Sequence, residues 1–222
     1  GPGGVGLRGL WAAALLLAAW VGARPGRAGL APPAGEAAVP DGALPVLRIS
    51  APPEIDGRLE EALWAGAARA AGFLDVARPN TPFDRQTSVR LAYDGRALYV
   101  GAECLEPAMS GLVASVTGRD GPVFGDDCLE LFLDTNRDRR MYYQLAFNAL
   151  GACWDGVRRS GAVDASWDSG VTAAVRRLPD RWVLEAAVPF ERMQADPPGE
   201  GTLWGFNAGR EHRVGDSVAF SS

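Results

Sequence analysis

The stretch spanning residues 125–156 constrains the fold most, because apolar and polar residues alternate in it in two successive runs. Side chains alternate between the two faces of a β-strand, so each run predicts a strand with one apolar face. The apolar positions are Leu129, Leu131 and Leu133 in the first run and Tyr143, Leu145 and Phe147 in the second. The opposite faces carry Glu130, Tyr142, Gln144 and Asn148. We therefore expect neighbouring strands with a polar patch facing away from the core.

The same alternation continues along most of the chain. Further runs span residues 89–93, 98–104, 171–177, 182–188 and 203–213. Asp94-Gly95, between the first two, is typical of a tight hairpin turn with positive φ. Helical spacing is confined to a short turn within residues 59–67, where Trp64 is a candidate core residue. The pattern predicts an all-β fold, an antiparallel β-sandwich of the jelly-roll or immunoglobulin-like type.

The ends of the chain suggest three segments. Residues 1–28 combine Arg8, an apolar run over 10–21 and small residues at two cleavage positions, which predicts a secretory signal peptide. An uncleaved membrane anchor is the alternative, although the run is short for a membrane span. Residues 29–46, rich in Ala, Pro and Gly, predict a linker. Residues 47–222 form the sandwich, which we expect to be incomplete at its C-terminus because 217–222 start a strand-like run without a turn.

This organisation predicts a secreted, periplasmic or cell-envelope protein, with no membrane segment after signal cleavage. Its three cysteines are Cys104, Cys128 and Cys153. A disulfide between Cys104 and Cys128 and buried reduced thiols both remain open. The net charge of −5 and the lack of a basic cluster argue against nucleic acid as a partner.

Catalytic signatures are missing from the sequence. His212 is the only histidine, and neither a G-x-S-x-G elbow nor a phosphate-binding loop is present. Glu130 and Glu185 both lie on predicted non-core strand faces and are the one pair to weigh for glycoside hydrolysis, but nothing in the sequence brings them together. We therefore expect a protein that is not an enzyme.

One turn carries possible metal ligands. Asp134, Asn136 and Asp138 place oxygen ligands at alternate positions, as at the start of a calcium loop. The glycine and glutamate of an EF-hand are missing. The alternatives are a calcium ion that stabilises the turn and a plain solvated turn.

The polar patch is the candidate ligand site. The amides and carboxylate of Glu130, Gln144 and Asn148 suit a ligand rich in hydroxyl groups. Phe124, just before the first strand, and Tyr142 add aromatic surface on which sugar rings can stack. Few convergent polar groups beside an aromatic wall describe a small-ligand site.

These motifs, taken in order, resemble family 9 carbohydrate-binding modules over roughly residues 49–213. The segments that carry the resemblance are IDGRLEEALW, VRLAYDGRALYVGAECLEP, DDCLELFLD, YYQLAFNALGACWDG, WVLEAAVPF and WGFNAGREHR. The resemblance implies a non-catalytic, calcium-supported β-sandwich that binds glucan or xylan chains and serves polysaccharide-degrading enzymes.

The resemblance also assigns roles to single residues. Phe124 falls at the family's first stacking aromatic, and Glu130 and Asn148 match residues that bind sugar hydroxyls. Ala146 stands where binding members have Arg, and the second stacking aromatic is expected after Ser222. Two alternatives stay open: a structural envelope domain with a decayed sugar site, and an electron-transfer domain. The latter would hold b-type haem through axial ligands from Met109, Met141, Met193 and His212.

Overall fold

The computed structural model describes residues 42–78, 80–214 and 217–221, with side chains described as far as residue 213. The predicted signal peptide (1–28) and most of the predicted linker (29–46) lie outside the described residues, so both stay predictions. Leu44 and Val46, at the end of that linker, pack against the core. No helix in the described part of the chain is long and apolar enough to cross a membrane.

Twelve strands and one α-helix make up the described fold. The strands are β1 (Leu47–Arg48), β2 (Arg69–Ala71), β3 (Thr87–Tyr93), β4 (Ala97–Leu105), β5 (Cys128–Asp134), β6 (Met141–Asn148), β7 (Cys153–Arg159), β8 (Ala162–Asp164), β9 (Thr172–Leu178), β10 (Arg181–Pro189), β11 (Gly205–Val214) and β12 (Ser217–Ser221). The helix α1 spans Ala62–Gly66, and short 3-10 turns cover Met109–Gly111, Val123–Gly125 and Phe190–Arg192.

The strands form two sheets. Sheet I has the order β1-β3-β4-β10-β9, with β2 also paired to β3, and sheet II has the order β12-β11-β5-β6-β7-β8. All pairs are antiparallel except β1 with β3, which is parallel. The predicted β-sandwich is therefore confirmed.

The core lies between the inner faces of the two sheets. From sheet II it receives Leu129, Leu131, Leu133, Tyr143, Leu145 and Phe147, the apolar set of the alternating stretch. From sheet I it receives Val89, Leu91, Val100, Trp182, Leu184 and Val188. The period of two thus identified the inward faces of β5 and β6 correctly. Everything on the opposite face of sheet II is left for solvent, loops or a ligand.

The outer face of sheet I is covered by the segment around α1. Trp64 is 2% exposed there and packs with Ala92 and Tyr99. Gly101 makes this possible, since a Cβ at that position would lie 3.0 Å from the indole ring. Glu185, fully buried beneath the segment, accepts hydrogen bonds from Trp64 Nε1 (2.8 Å) and from the backbone N–H groups of Asp56 and Gly57. The sheet is therefore closed to ligands over this area.

Two local expectations change. The hairpin between β3 and β4 forms, but neither Asp94 nor Gly95 adopts a positive φ. Asp94 Oδ1 instead accepts hydrogen bonds from the N–H groups of Arg96 (2.7 Å) and Ala97 (3.0 Å), so an aspartate side chain holds the turn. The cysteines at positions 104, 128 and 153 are buried free thiols, and burial raises the pKa of each. This favours the reduced-thiol alternative.

Candidate functional site

The outer face of sheet II gathers most of the predicted site residues. In strand register, Glu130 on β5 lies between Gly209 on β11 and Ala146 on β6, and Ala146 in turn pairs with Trp154 on β7. The adjoining row contains Asn207, Phe132, Gln144 and Gly156. Because the side chains of one face alternate with core residues, these two rows form one continuous surface. We call this surface the candidate face.

A hydrogen-bonded pair lies at the centre of the candidate face. The amide Nε2 of Gln144 donates to Oε2 of Glu130 at 2.6 Å. Both side chains are largely buried, Glu130 being 5% exposed and Gln144 9%. Glu130 Oε1 accepts no hydrogen bond from the described residues. The structure thus brings two predicted site residues together and leaves one carboxyl oxygen for another partner.

Two aromatic rings stand beside this pair. Phe124, from the turn before β5, meets Trp154 of β7 edge to face, with ring centroids 5.1 Å apart. Both side chains are half-buried. Gly156 leaves room for the indole ring, because a Cβ at this position would lie only 2.8 Å from Trp154 Cη2. Trp154 was not proposed as a site residue from the sequence, although the glycine two positions later, on the same strand face, was a usable signal for the place of this ring.

Tyr142 borders the candidate face on the other side. Its ring makes an edge contact with Phe132 at 6.0 Å, and the guanidinium carbon of Arg158 lies 5.9 Å from the ring centroid. Burial raises the pKa of the Tyr142 phenol, as does the nearby Glu130 carboxyl, while the positive charge of Arg158 opposes the rise. The phenol therefore stays a neutral hydrogen-bond donor and acceptor at physiological pH.

Asn148, a predicted sugar ligand, is bonded within the protein. It is fully buried, and its Nδ2 donates to Val116 O (2.7 Å) and to Asp126 Oδ2 (2.8 Å). Its Oδ1 accepts from the N–H groups of Leu150 (3.0 Å) and Ala152 (2.9 Å). An asparagine amide has two N–H donors and two acceptor lone pairs, so these four bonds use its whole capacity. In this geometry Asn148 holds loops together and has no bond to offer a sugar.

The loop that Asn148 holds covers part of the candidate face. Asp126 Oδ2 also accepts from the N–H groups of Ser115 and Val116, at 3.0 and 2.9 Å. This draws the loop over Ala146, which is fully buried in a small cluster with Val123. The position at which the resemblance expected an arginine is therefore under a loop. Alternation alone could not reveal this covering.

Two further charged residues were not proposed from the sequence. Glu211 and Arg213 of β11 face outward and form an ion pair at 3.1 Å, and Glu211 pairs in register with Cys128. Alternation along β11 was the signal that could have placed them on the candidate face. Burial raises the pKa of Glu211, and Arg213 counteracts the rise.

Comparison with known families identifies the domain. Residues 55–213 match the family described as carbohydrate family 9 binding domain-like. The chain belongs to this family. The match covers more than half of the 222 residues and agrees with the resemblance carried by the sequence motifs.

Solved structures agree with this fold assignment. A carbohydrate-binding module of family 9 from Caldicellulosiruptor kristjanssonii, in complex with cellotriose, matches with 20% identity, a TM-score of 0.57, and coverage of 79% of this chain and 80% of that chain. A family 9 module from the same organism, in complex with glucose, matches with 22% identity, a TM-score of 0.58, and coverage of 78% of this chain and 84% of that chain. No curated protein matches the sequence.

The predicted calcium ligands of this family 9 domain lie at the β5–β6 turn. Asp134 accepts hydrogen bonds from the N–H groups of Asp138 (3.3 Å) and Arg139 (2.8 Å). Asp138 Oδ1 accepts from those of Arg140 (2.7 Å) and Met141 (3.0 Å). The two carboxylates serve different backbone amides, and Asn136 is exposed. This geometry stabilises the turn without a cation, so calcium at Asp134, Asn136 and Asp138 stays a prediction.

Another cluster contains potential metal ligands inside the domain. Atoms of Glu106, Asp127 and His212 lie within 4.8 Å of one another, and all three side chains are buried. His212 Nε2 is 2.7 Å from Glu106 Oε2, and the guanidinium groups of Arg85 and Arg210 contact the same carboxylate at 3.3 and 3.5 Å. The two arginines therefore already compensate the charge of Glu106, and Asp127 accepts hydrogen bonds from the N–H groups of Val113 and Arg213. The cluster is an ion-pair network that joins the end of β4 to β11.

The same geometry bears on the alternative functions. Glu130 and Glu185 lie on the outer faces of different sheets, so the core separates them and they cannot flank one glycosidic bond. His212 Nε2 contacts Glu106, and Met193 is 5% exposed within the core. An axial haem ligand needs its donor atom free to face an open cavity. In the described residues, the candidate face offers a better-formed site than either alternative.

Proposed function

We propose that this family 9 domain binds a carbohydrate on the candidate face and performs no chemistry on it. The aromatic pair Phe124–Trp154 beside the Glu130–Gln144 pair carries the proposal. Sugar rings present C–H groups to aromatic faces and hydroxyl groups to amides and carboxyls, and this face supplies both partners. Two observations on similar proteins support the proposal. The family is described as carbohydrate-binding, and the similar solved structures are complexes with cellotriose and glucose.

The ligand we propose is a short segment or an end of a glucan or xylan chain. The loop over Ala146 reduces the part of the candidate face that a ligand can reach. This favours a ligand that places only one or two sugar rings on the face. Export through residues 1–28, calcium at the β5–β6 turn, and service to polysaccharide-degrading enzymes belong to the same proposal. They rest on the signal-like sequence and on the family resemblance.

Calorimetric titration with cello- and xylo-oligosaccharides, each native and reduced to the alditol, tests the proposal. Binding that is lost on reduction indicates recognition of chain ends, and binding that survives it indicates recognition within the chain. Trp154→Ala should weaken binding by about 1–3 kcal/mol, since the indole buries a large apolar area against a ring. Arg176→Ala, an exposed change on sheet I, is the matched control and should leave the affinity unchanged.

A decayed site is the second candidate, because Asn148 is committed to the loop and Ala146 is covered. A protein that is folded by circular dichroism but binds none of these sugars would support that candidate and contradict sugar binding. Equal affinity in the wild type and in Trp154→Ala would instead remove the aromatic pair from the site.

A further inference from the structure

Glu130 is the least compensated acid on the candidate face. It is 5% exposed, and its neighbours in register, Gly209 and Ala146, bring neither charge nor a side-chain hydrogen bond. In the described part of the chain, no basic side chain lies within 4.0 Å of its carboxyl group. Its one hydrogen bond comes from the amide of Gln144. A buried carboxylate with so little support is strongly disfavoured relative to the neutral acid.

The charged groups around Glu130 come from strands β11 and β7 of the same sheet. On β11, Glu211 adds a like charge, while Arg213 is engaged with Glu211 at 3.1 Å. On β7, Arg158 lies against the Tyr142 ring and reaches Glu130 only through longer-range attraction. The other titratable groups on this face are the Tyr142 phenol of β6 and the Cys128 thiol of β5, and burial raises the pKa of both.

The burial and the neighbouring charges together determine the pKa of the Glu130 carboxyl. Burial, followed by the repulsion from Glu211, raises its pKa to about 7, against the lowering by Gln144 and Arg158. In the neutral form, Oε2 accepts from Gln144 and the proton lies on Oε1, the atom to which no described residue donates a hydrogen bond. That O–H group is then available to donate a hydrogen bond to a ligand.

We propose that Glu130 binds the sugar as a neutral acid that donates a hydrogen bond, so that the domain loses affinity for its glycan as the solution becomes alkaline. The inference rests on the proposed sugar site and adds its regulation. A bound sugar displaces the remaining water from Glu130 and leaves it beside Glu211 in a drier setting, which disfavours the ionised form further. The direction follows: the binding-competent form is complete below the pKa and is depleted as pH rises through it.

Titration of the mature protein with cellotriose and xylotriose at pH 6 and pH 8 tests the inference. If only the neutral acid binds, affinity should fall about tenfold between the two values, because the neutral fraction falls by that factor around pH 7. Repeating the pH 8 titration in buffers of different ionisation enthalpy should show uptake of close to one proton per sugar. A merely structural role for Glu130 would not produce that uptake.

Two variants identify the titrating group. Glu130→Gln, which keeps the shape of the neutral acid, should reduce the difference in affinity between pH 6 and pH 8 to less than about twofold. Glu211→Gln removes the like charge and should move the midpoint to lower pH. Both variants are checked for folding by circular dichroism at each pH.

The outcomes separate the two proposals. Sugar binding that is constant from pH 6 to pH 8, that strengthens with pH, or that keeps its pH dependence in Glu130→Gln would overturn the inference and leave the sugar site standing. Binding of neither trisaccharide at any pH, by folded protein, would overturn the sugar site and the inference with it.

Discussion

Replacing Asn148 tests whether this side chain supports the scaffold or contacts the ligand. Its amide makes four hydrogen bonds, two as donor to Val116 O and Asp126 Oδ2 and two as acceptor from backbone N–H groups. Each such bond contributes about 1 kcal/mol net, and more where a buried partner is left unsatisfied. Asn148→Ala should therefore lower the free energy of unfolding by about 4 kcal/mol at pH 7. That is a large part of the stability of an ordinary domain.

Asn148→Asp gives a sharper result because it preserves shape and both acceptor bonds. It replaces the donor to Asp126 by a second carboxylate at hydrogen-bond distance, and it removes the bond to Val116 O. Burial raises the pKa of Asp126, but its hydrogen bonds, first from Val116 and Ser115 and then from Asn148, outweigh that and lower it. Two such acids cannot both ionise at this separation, so the pair must retain a proton.

The sign of the pH effect follows from that proton. The folded protein holds it at a pKa above the unfolded value of about 4, so the part of the cost that comes from the second acid is absent below pH 4 and grows as pH rises. The cost of the lost bond to Val116 O remains at every pH. We expect Asn148→Asp to cost about 4–5 kcal/mol at pH 7 and about 2 kcal/mol near pH 4. The measurement is urea unfolding at both pH values with the slope m held in common.

Gln144→Ala is the matched control, since it lies on the same strand and face but makes one hydrogen bond, for an expected cost of about 1 kcal/mol. If Asn148→Ala costs less than about 1 kcal/mol and yet abolishes sugar binding, the scaffold reasoning is refuted and Asn148 is a ligand residue after all.

Three further changes test other parts of the structure. Glu185→Leu should cost about 3 kcal/mol in urea unfolding and expose the α1 segment to protease, because it leaves three donors without an acceptor, among them the buried Trp64 Nε1 and the buried N–H of Gly57. Gly156→Ala should weaken sugar binding in calorimetry while the domain stays folded, because its Cβ displaces Trp154; unchanged affinity would contradict this. Glu130→Gln should raise the free energy of unfolding by up to about 3 kcal/mol at pH 8 but not at pH 4, since the raised pKa of Glu130 destabilises the fold only as pH rises from the unfolded value.

The strands were predictable because one face of each had to be apolar. Leu129, Leu131 and Leu133 could belong only to an inward face, and the register with β6 then placed Glu130 and Gln144 on the outward face. This reasoning needs no knowledge of the partner strands, since the period of two is a local property. The family motifs added the order of the elements, which matching residues 55–213 confirms.

What lies above a strand face was not predictable from alternation. Asn148 has the right period for the candidate face, but the loop that Asp126 anchors comes over it from a distant part of the sequence. The Asp94-Gly95 turn shows the same limit on a smaller scale. The dipeptide predicted a hairpin correctly. The turn, however, is held by hydrogen bonds from two backbone N–H groups to the Asp94 carboxylate, and these bonds depend on the rotamer of that side chain.

The number of backbone N–H donors distinguishes the acidic residues that support the fold from Glu130, the acid available to a ligand. Asp126, Asp127 and Glu185 are all buried, yet each accepts two hydrogen bonds from backbone N–H groups of a covering or adjoining segment. Those donors are fixed by the fold, so these carboxylates fasten segments and have little to offer a solute. Glu130 receives one side-chain amide and no backbone N–H group. A proton or a hydroxyl group of the ligand can supply the hydrogen bond that the Glu130 carboxyl lacks. For that reason we expect sugar binding on the candidate face and its pH dependence to rest on the same atom, Glu130 Oε1.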